Sequence, residues 1–295
     1  MNRRHVFALL GAGAAGAALR GTPALAAPIP DAALTTAGFA IAVQAWSFNR
    51  FTLLEALDRA ATAGVDAIEV YPGQRFSADT GDARWDHNAS EDLIQRFLDE
   101  AGSKGITPVN YGVVGIPNNE GGARQIFDFA KRLGIYGITT ESVDSLDLSE
   151  KLAAEYKIQV CYHNHPERPN DPNYKIWNPE WIYDQIKDRD PHMGICADIG
   201  HWATSGLNPL ESIRKTADRI NAFHMKDRST IEQGSPDIPF GTGVIRLAAI
   251  LDEVGRHGFA GNVSIEYEAN WDHSVPDIAQ CAGFLRGYAQ TRQAD

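Results

Sequence analysis

Ala63-Gly64-Val65-Asp66 closes a helical run and opens a strand-like one. Upstream, Leu53, Leu54, Leu57 and Ala60 recur at helical spacing from Thr52 to Ala63; downstream, Ala67–Tyr71 is rich in β-formers. The same cassette returns as Ser103-Lys104-Gly105-Ile106, Leu133-Gly134-Ile135-Tyr136 and His257-Gly258-Phe259-Ala260. Each time a helix ends, a glycine takes the left-handed C-cap, and an apolar residue leads into a strand. Four copies of one helix-to-strand turn predict a repeated βα unit.

Working outward from these turns, eight strand candidates appear: 40–47, 67–71, 107–113, 137–141, 158–163, 193–198, 222–226 and 262–267. Helical patterns lie between them, at 52–63, 90–103, 122–133, 148–156, 179–187, 209–217, 244–256 and 275–288. Strands alternating with helices predict a parallel sheet covered by helices. Eight units within about 250 residues match an α/β fold of the (β/α)8 TIM-barrel kind. An open doubly wound sheet is less suited, because the first strand ends in Gln44-Ala45-Trp46-Ser47 and carries no G-x-G-x-x-G loop. The longest irregular stretches, 74–88, 166–177 and 227–241, all follow strands, so in a barrel they lie on the catalytic face and could form a lid.

Composition is that of an ordinary globular protein, which excludes disorder and collagen-like repeats. The chain has 295 residues, 43% hydrophobic and 22% charged, with a formal net charge of −11. A surface so acidic repels phosphate backbones, which argues against nucleic-acid partners. Three cysteines with no C-x-x-C make neither a disulfide framework nor a zinc ribbon. Cys161 and Cys196 read as reduced core residues.

Residues 1–26 read as an export signal. Arg3-Arg4 precedes a short Ala/Gly-rich apolar run from Val6 to Leu19, and Ala24-Leu25-Ala26 supplies a small-x-small cleavage site. The paired arginines resemble a twin-arginine signal, so export through the Tat machinery to the periplasm or exterior is expected. Cleavage there removes Arg3, Arg4 and Arg20 and no acid, taking the formal charge to −14. Residues 27–295 are then a single catalytic domain. No later apolar run reaches membrane-spanning length, so no stable insertion is expected.

The ends of the strands carry polar residues where a buried strand should be apolar. Strand four ends in Thr139-Thr140-Glu141, strand five in Tyr162-His163-Asn164-His165, and strand six in Asp198-Ile199-Gly200-His201. Strand seven ends in His224-Met225-Lys226-Asp227 and strand eight in Glu266-Tyr267-Glu268. Alternation puts His163 with His165, His224 with Lys226, and Glu266 with Glu268, each pair on one face. Tyr162, Phe223, Ile265 and Tyr267 fall on the opposite parity and can pack under helices. Alone, a strand-end histidine is a hydrogen-bonded rim residue and an Asp before a Gly is a turn. Five strand ends converging at one mouth are different, because gathered carboxylates repel unless a cation sits among them. A mixed His/carboxylate set suits one divalent metal, Mn, Co, Fe or Zn, better than Ca.

At these motifs the chain resembles the sugar phosphate isomerase/epimerase family of the xylose-isomerase-like TIM barrels. Tyr162-His163-Asn164-His165 is similar to its Y-H-N-H, Asp198-Ile199-Gly200-His201 to its D-x-G-H, and His224-Met225-Lys226-Asp227 to its H-x-K-D. Gly241-Thr242-Gly243 resembles the following G-x-G, and residues 63–69 resemble its A-G-(F/V)-D-x-(I/V)-E. The resemblance implies metal ligands at Asp198, His224 and Glu266. The first ligand of the related ketose 3-epimerases is a glutamate, and here that position is His163. His163, Glu141 from strand four, or both could therefore complete the set. The Y-H-N-H branch is also similar to inosose dehydratases and to lyases or hydratases of 3-keto-glycosides. Relatives are often dimers or tetramers, so the resemblance allows a homo-oligomer.

The implied reaction is isomerisation or epimerisation of a sugar or keto-sugar. It runs through an ene-diolate formed by proton abstraction beside a metal-polarised carbonyl. A lyase or dehydratase would use the same chemistry, and a non-catalytic exported sugar-binding barrel is the other alternative. Candidate bases are Glu266, His165 and His201, with Lys226 holding or protonating the oxyanion. Gln44, Glu69 and Glu268 could bind hydroxyls, and Trp46, Trp202 and Trp271 could offer apolar faces to a sugar ring. Export makes a phosphorylated substrate a poor fit.

Overall fold

The helix-to-strand turns behave as their glycines require. Gly64, Gly105, Gly134 and Gly258 have φ of +74°, +69°, +67° and +76°, a region where any Cβ is strained. The computed structural model describes residue 29 and residues 34–292. The export signal read at residues 1–26 lies outside the described residues.

Eight strands form the barrel: β1 (Ala40–Gln44), β2 (Ala67–Val70), β3 (Thr107–Tyr111), β4 (Gly137–Thr140), β5 (Gln159–His163), β6 (Met193–Asp198), β7 (Ile220–Met225) and β8 (Asn262–Ile265). Each pairs in parallel with its sequence neighbours, and β1 closes on β8. The helices are α1 (Leu53–Thr62), α2 (Glu91–Ser103), α3 (Glu120–Leu133), α4 (Leu146–Tyr156), α5 (Pro179–Ile186), α6 (Ile199–Thr204), α7 (Pro209–Thr216), α8 (Leu247–Arg256) and α9 (Val275–Gln290). The fold is the closed (β/α)8 barrel expected from the repeated turns.

Local chemistry sets the helix starts. Thr52 and Glu55 cap α1 reciprocally, with the Glu55 amide donating to Thr52 Oγ1 at 3.3 Å and the Thr52 amide donating to Glu55 Oε2 at 2.8 Å. Asn178 and Asn208 cap α5 and α7, and each helix then begins with a proline. Two elements differ from expectation. The pattern predicted at 244–256 becomes helical only at Leu247, because the amides of Gly241, Gly243 and Ile245 are turned onto the Asp227 carboxylate instead. The short helix α6 was not expected; Asp198 caps it, its Oδ1 accepting from the His201 amide at 2.8 Å.

The irregular stretches are partly ordered by two small hairpins. Residues 74–75 pair with 84–85, and 227–228 with 237–238. The outward-facing strand residues Tyr162, Phe223, Ile265 and Tyr267 join the apolar layer beneath the helices. The barrel interior is polar at its lower level. Tyr136 donates its hydroxyl to Asn262, and the buried Glu69 accepts from Thr139 Oγ1 at 2.9 Å and from Ser264 Oγ at 2.7 Å. No helix among the described residues is long and apolar enough to cross a membrane.

Candidate active site

Register alone brings the polar strand ends together. His224 lies level with Asp198 on β6 and with Ser264 on β8, so Glu266 stands two residues farther along. His163 lies level with Cys196, two residues short of Asp198. The barrel shear thus converts four sequence positions into one cluster. Ligand atoms of His163, Asp198, His224 and Glu266 all fall within 4.8 Å of one another, and all four residues are buried.

The imidazoles show what the cluster can hold. A carboxylate can only accept, so the nitrogen facing one carries the proton. His163 Nδ1 faces Glu141 Oε1 at 3.0 Å, and His224 Nε2 faces Glu69 Oε1 at 3.0 Å. Their other nitrogens, His163 Nε2 and His224 Nδ1, are buried, lack a hydrogen-bond partner and point into the cluster. His163 Nε2 is 3.6 Å from Asp198 Oδ2, and His224 Nδ1 is 3.2 Å from Glu266 Oε2. Two imidazole nitrogens and two carboxylates converging on one point fit a divalent transition metal, which binds once those nitrogens are unprotonated. The carboxylates behind the imidazoles supply the orienting contacts that such ligands use.

This geometry assigns the two glutamates differently from the sequence reading. Glu141 stands outside the four-residue cluster. Its carboxylate meets His163, His165 Nδ1 at 2.5 Å and the Tyr174 hydroxyl at 3.2 Å, although with His163 and His165 it forms a second group of close ligand atoms. Glu69 does not reach a substrate hydroxyl. It is fully buried below the site, and its contacts go to His224, Thr139 and Ser264. Sequence reasoning missed that supporting role because Glu69 and His224 lie 155 positions apart, on strands that are not neighbours.

Charge in the floor is strongly coupled. Lys226 is fully buried, and its Nζ lies 2.7 Å from Asp198 Oδ2, 2.6 Å from Glu266 Oε2 and 3.0 Å from Glu268 Oε2. Burial works against the lysine charge, but these three carboxylates hold it and push its pKa well above the usual value. Burial likewise opposes ionisation of Asp198 and Glu266, and the cationic neighbours, Lys226 among them, win, leaving both carboxyls far below their ordinary range. Burial also disfavours charge on His163 and His224. The carboxylates Asp198 and Glu141 lift His163 nonetheless, and Cys196, Glu69 and Glu266 lift His224. His201 goes the other way, because burial dominates and holds it neutral.

Motif residues that carry no chemistry have spatial reasons. Asn164 ties β5 to β6, donating to the Asp198 carbonyl and accepting from the Asp198 amide, both at 3.1 Å. A Cβ on Gly200 would lie 2.6 Å from Lys226 Cβ, so only glycine lets α6 pass over the lysine. A Cβ on Gly243 would lie 2.1 Å from Asp227 Oδ1, where its amide must approach.

Above the cluster opens a cavity of about 280 Å³. His163, His165, His201, Glu266 and Glu268 form one side, and Gln44, Trp46, Tyr71 and the Gly112–Val113 turn form the other. His165 stacks on His201 with ring centroids 5.3 Å apart. Trp46 is 41% exposed, sits edge-on to Tyr71, and donates Nε1 to Glu268 Oε1 at 3.2 Å. Gln44 lines the wall, but its amide is engaged with backbone, donating to the Gly112 carbonyl at 2.7 Å and accepting from the Trp46 amide at 2.9 Å. Trp202 cannot face a sugar, since it is buried in the apolar layer at 1% exposure, and Trp271 does not line the cavity. Tyr71 and Tyr174 were not foreseen. Each comes from a loop or strand end whose position only the closed barrel defines.

Comparison with known proteins agrees with this architecture. A protein named hydroxypyruvate isomerase from Streptomyces coelicolor is 22% identical over 268 residues, covering 79% of this chain and 91% of its own. A solved structure from Parabacteroides distasonis superposes with a TM-score of 0.67 at 30% identity, covering 85% of this chain and 99% of that one. A D-tagatose 3-epimerase-like protein shares the fold with a TM-score of 0.65 at 18% identity, over 85% and 97% of the two chains. The profile of the xylose isomerase-like TIM barrel matches residues 57–288, and the chain belongs to that family.

Proposed function

We propose that the protein is a metal-dependent isomerase or epimerase of a sugar or keto-sugar. The observation that carries this reading is the pair of unpartnered, buried imidazole nitrogens converging with Asp198 and Glu266 at the catalytic end of the barrel. His163, Asp198, His224 and Glu266 would hold the ion, with manganese as the first candidate. A divalent ion there supplies Lewis-acid polarisation of a carbonyl and its neighbouring hydroxyl.

The chain's own residues do the proton work. Glu266 faces the cavity and is positioned to take a proton from the carbon beside the carbonyl. Lys226, pinned under it at 2.6 Å with no exposed surface, holds the Glu266 carboxylate in place from below instead of touching the oxyanion as the sequence suggested. Also in the cavity wall, His165 has Nδ1 held by Glu141, an arrangement that orients an imidazole to receive or return a proton. Return of the proton to carbon gives isomerisation or epimerisation; departure of a β-substituent would give a lyase instead. The Arg3-Arg4 signal supports export of a folded, metal-loaded chain.

The test is metal content by plasma mass spectrometry, coupled to proton exchange in deuterium oxide. About one transition metal per chain is expected, lost in Asp198→Ala. Glu266→Gln is expected to lower carbon-bound deuterium incorporation by at least ~10²-fold while the circular dichroism stays native. No metal in either form after loading, or full exchange in Glu266→Gln, would sink the reading.

A further inference from the structure

The walls of the cavity carry a charge pattern that constrains what enters. Among the described residues lining it there is no arginine or lysine. Lys226 lies beneath the floor with no exposed surface, and its ammonium is already shared by Asp198, Glu266 and Glu268. Five carboxylates surround or underlie the cavity, adding Glu69 and Glu141 to those three. Even with a divalent ion bound, they outnumber the positive charges of the ion and the lysine.

An anionic substituent entering here meets repulsion that water screens poorly. No guanidinium or ammonium among the described lining residues replaces the hydration it gives up. Uncharged hydroxyls have the reverse experience, since Glu268 and the rim imidazoles can accept from or donate to them. Trp46 adds a face. Its indole is fixed by Glu268 and Tyr71 yet left 41% exposed at the mouth, which suits the carbon-hydrogen face of a ring. The volume of about 280 Å³ is at the lower edge of small-molecule sites, which run from roughly 300 Å³ upward, and is the scale of one sugar ring.

Resting on the isomerase reading above, we propose that the site selects uncharged, single-ring keto-sugars and rejects phosphorylated sugars and α-keto acids. Glu268 is the specificity-determining residue. It places a negative charge in the wall, helps neutralise Lys226 and fixes Trp46.

The test uses manganese-loaded protein and calorimetric titration with ketohexoses, each compared with its own 6-phosphate, and with hydroxypyruvate. Pairing each sugar with its phosphate removes stereochemistry as a variable. The uncharged member of at least one pair is expected to bind at least about tenfold tighter than its phosphate, with hydroxypyruvate weaker still. Glu268→Gln is expected to cut that ratio by about tenfold. Equal or tighter binding of the phosphates or of hydroxypyruvate would overturn the proposal, as would failure of every uncharged member to bind. Deuterium exchange separates the two claims. Charge selectivity without exchange leaves this inference standing and defeats the isomerase reading. Exchange with phosphorylated sugars alone does the opposite.

Discussion

Glu69 illustrates how one residue acts at a distance from the chemistry. Its carboxylate accepts from His224 Nε2 at 3.0 Å while Thr139 and Ser264 hold it from below. It therefore fixes the proton on Nε2, so that Nδ1 is the nitrogen that deprotonates to serve the cluster. Glu69→Gln nearly preserves volume but lets the amide turn a donor toward His224. Metal affinity is expected to fall by about 10–100-fold, measured by competition with a chelating dye, with the fold intact by circular dichroism. Unchanged affinity would show that His224 needs no such partner. The carboxylate types were plain in the sequence at this scale, but the roles of Glu69 and Glu141 were not. Each role depends on which imidazole lies across the barrel.

Two kinds of glycine separate at the scale of elements. Gly258 ends α8 with φ of +76° and has no atom within 4 Å of a built Cβ, so its constraint is conformational. Gly258→Ala is expected to cost about 1–2 kcal/mol in unfolding free energy and leave metal binding unchanged. Gly200 sits where α6 crosses β7, with Lys226 Cβ 2.6 Å from the added atom. Gly200→Ala must push α6 or Lys226 away, at about 1–3 kcal/mol, and is expected to weaken metal binding as Asp198 moves with its helix. Chemical denaturation and metal titration of both variants test the contrast; equal metal affinity in the two would count against it. The repeated turn glycines were legible because their requirement is local. Helix α6 was hidden because Gly200 sits in its first turn and its cap, Asp198, also reads as a site residue.

For the whole molecule, the metal-dependent reading predicts that folding and metal uptake are linked. In the metal-free site the carboxylates overcome burial and raise the His163 and His224 pKa values. A raised histidine pKa stabilises the fold below the unfolded value, and that stabilisation is lost as pH climbs through the folded value. Metal binding requires both imidazoles to lose the proton from the inward nitrogen, so affinity rises over the same interval. Manganese at about 100 times its dissociation constant should add about 2.7 kcal/mol of stability. The thermal shift it produces is expected to be larger at pH 8 than at pH 6, and absent in Asp198→Ala. A shift that shrinks with rising pH would contradict the ligand assignment.

What the sequence determined by itself was the count and order of the units, the (β/α)8 closure, and the end of the barrel where polar groups gather. Those features rest on interactions within a few residues: left-handed glycines at helix ends, period-two alternation in strands, and polar residues at strand termini. Tertiary structure alone decided which partner each charge meets. Lys226 is sealed beneath the cavity by three carboxylates from two other strand ends, Trp202 is turned into the apolar layer, and Glu69 supports an imidazole from a strand it does not pair with. The physical reason is barrel shear. Closing eight staggered strands sets the height of every inward side chain against those across the ring, and no stretch of local sequence encodes that height.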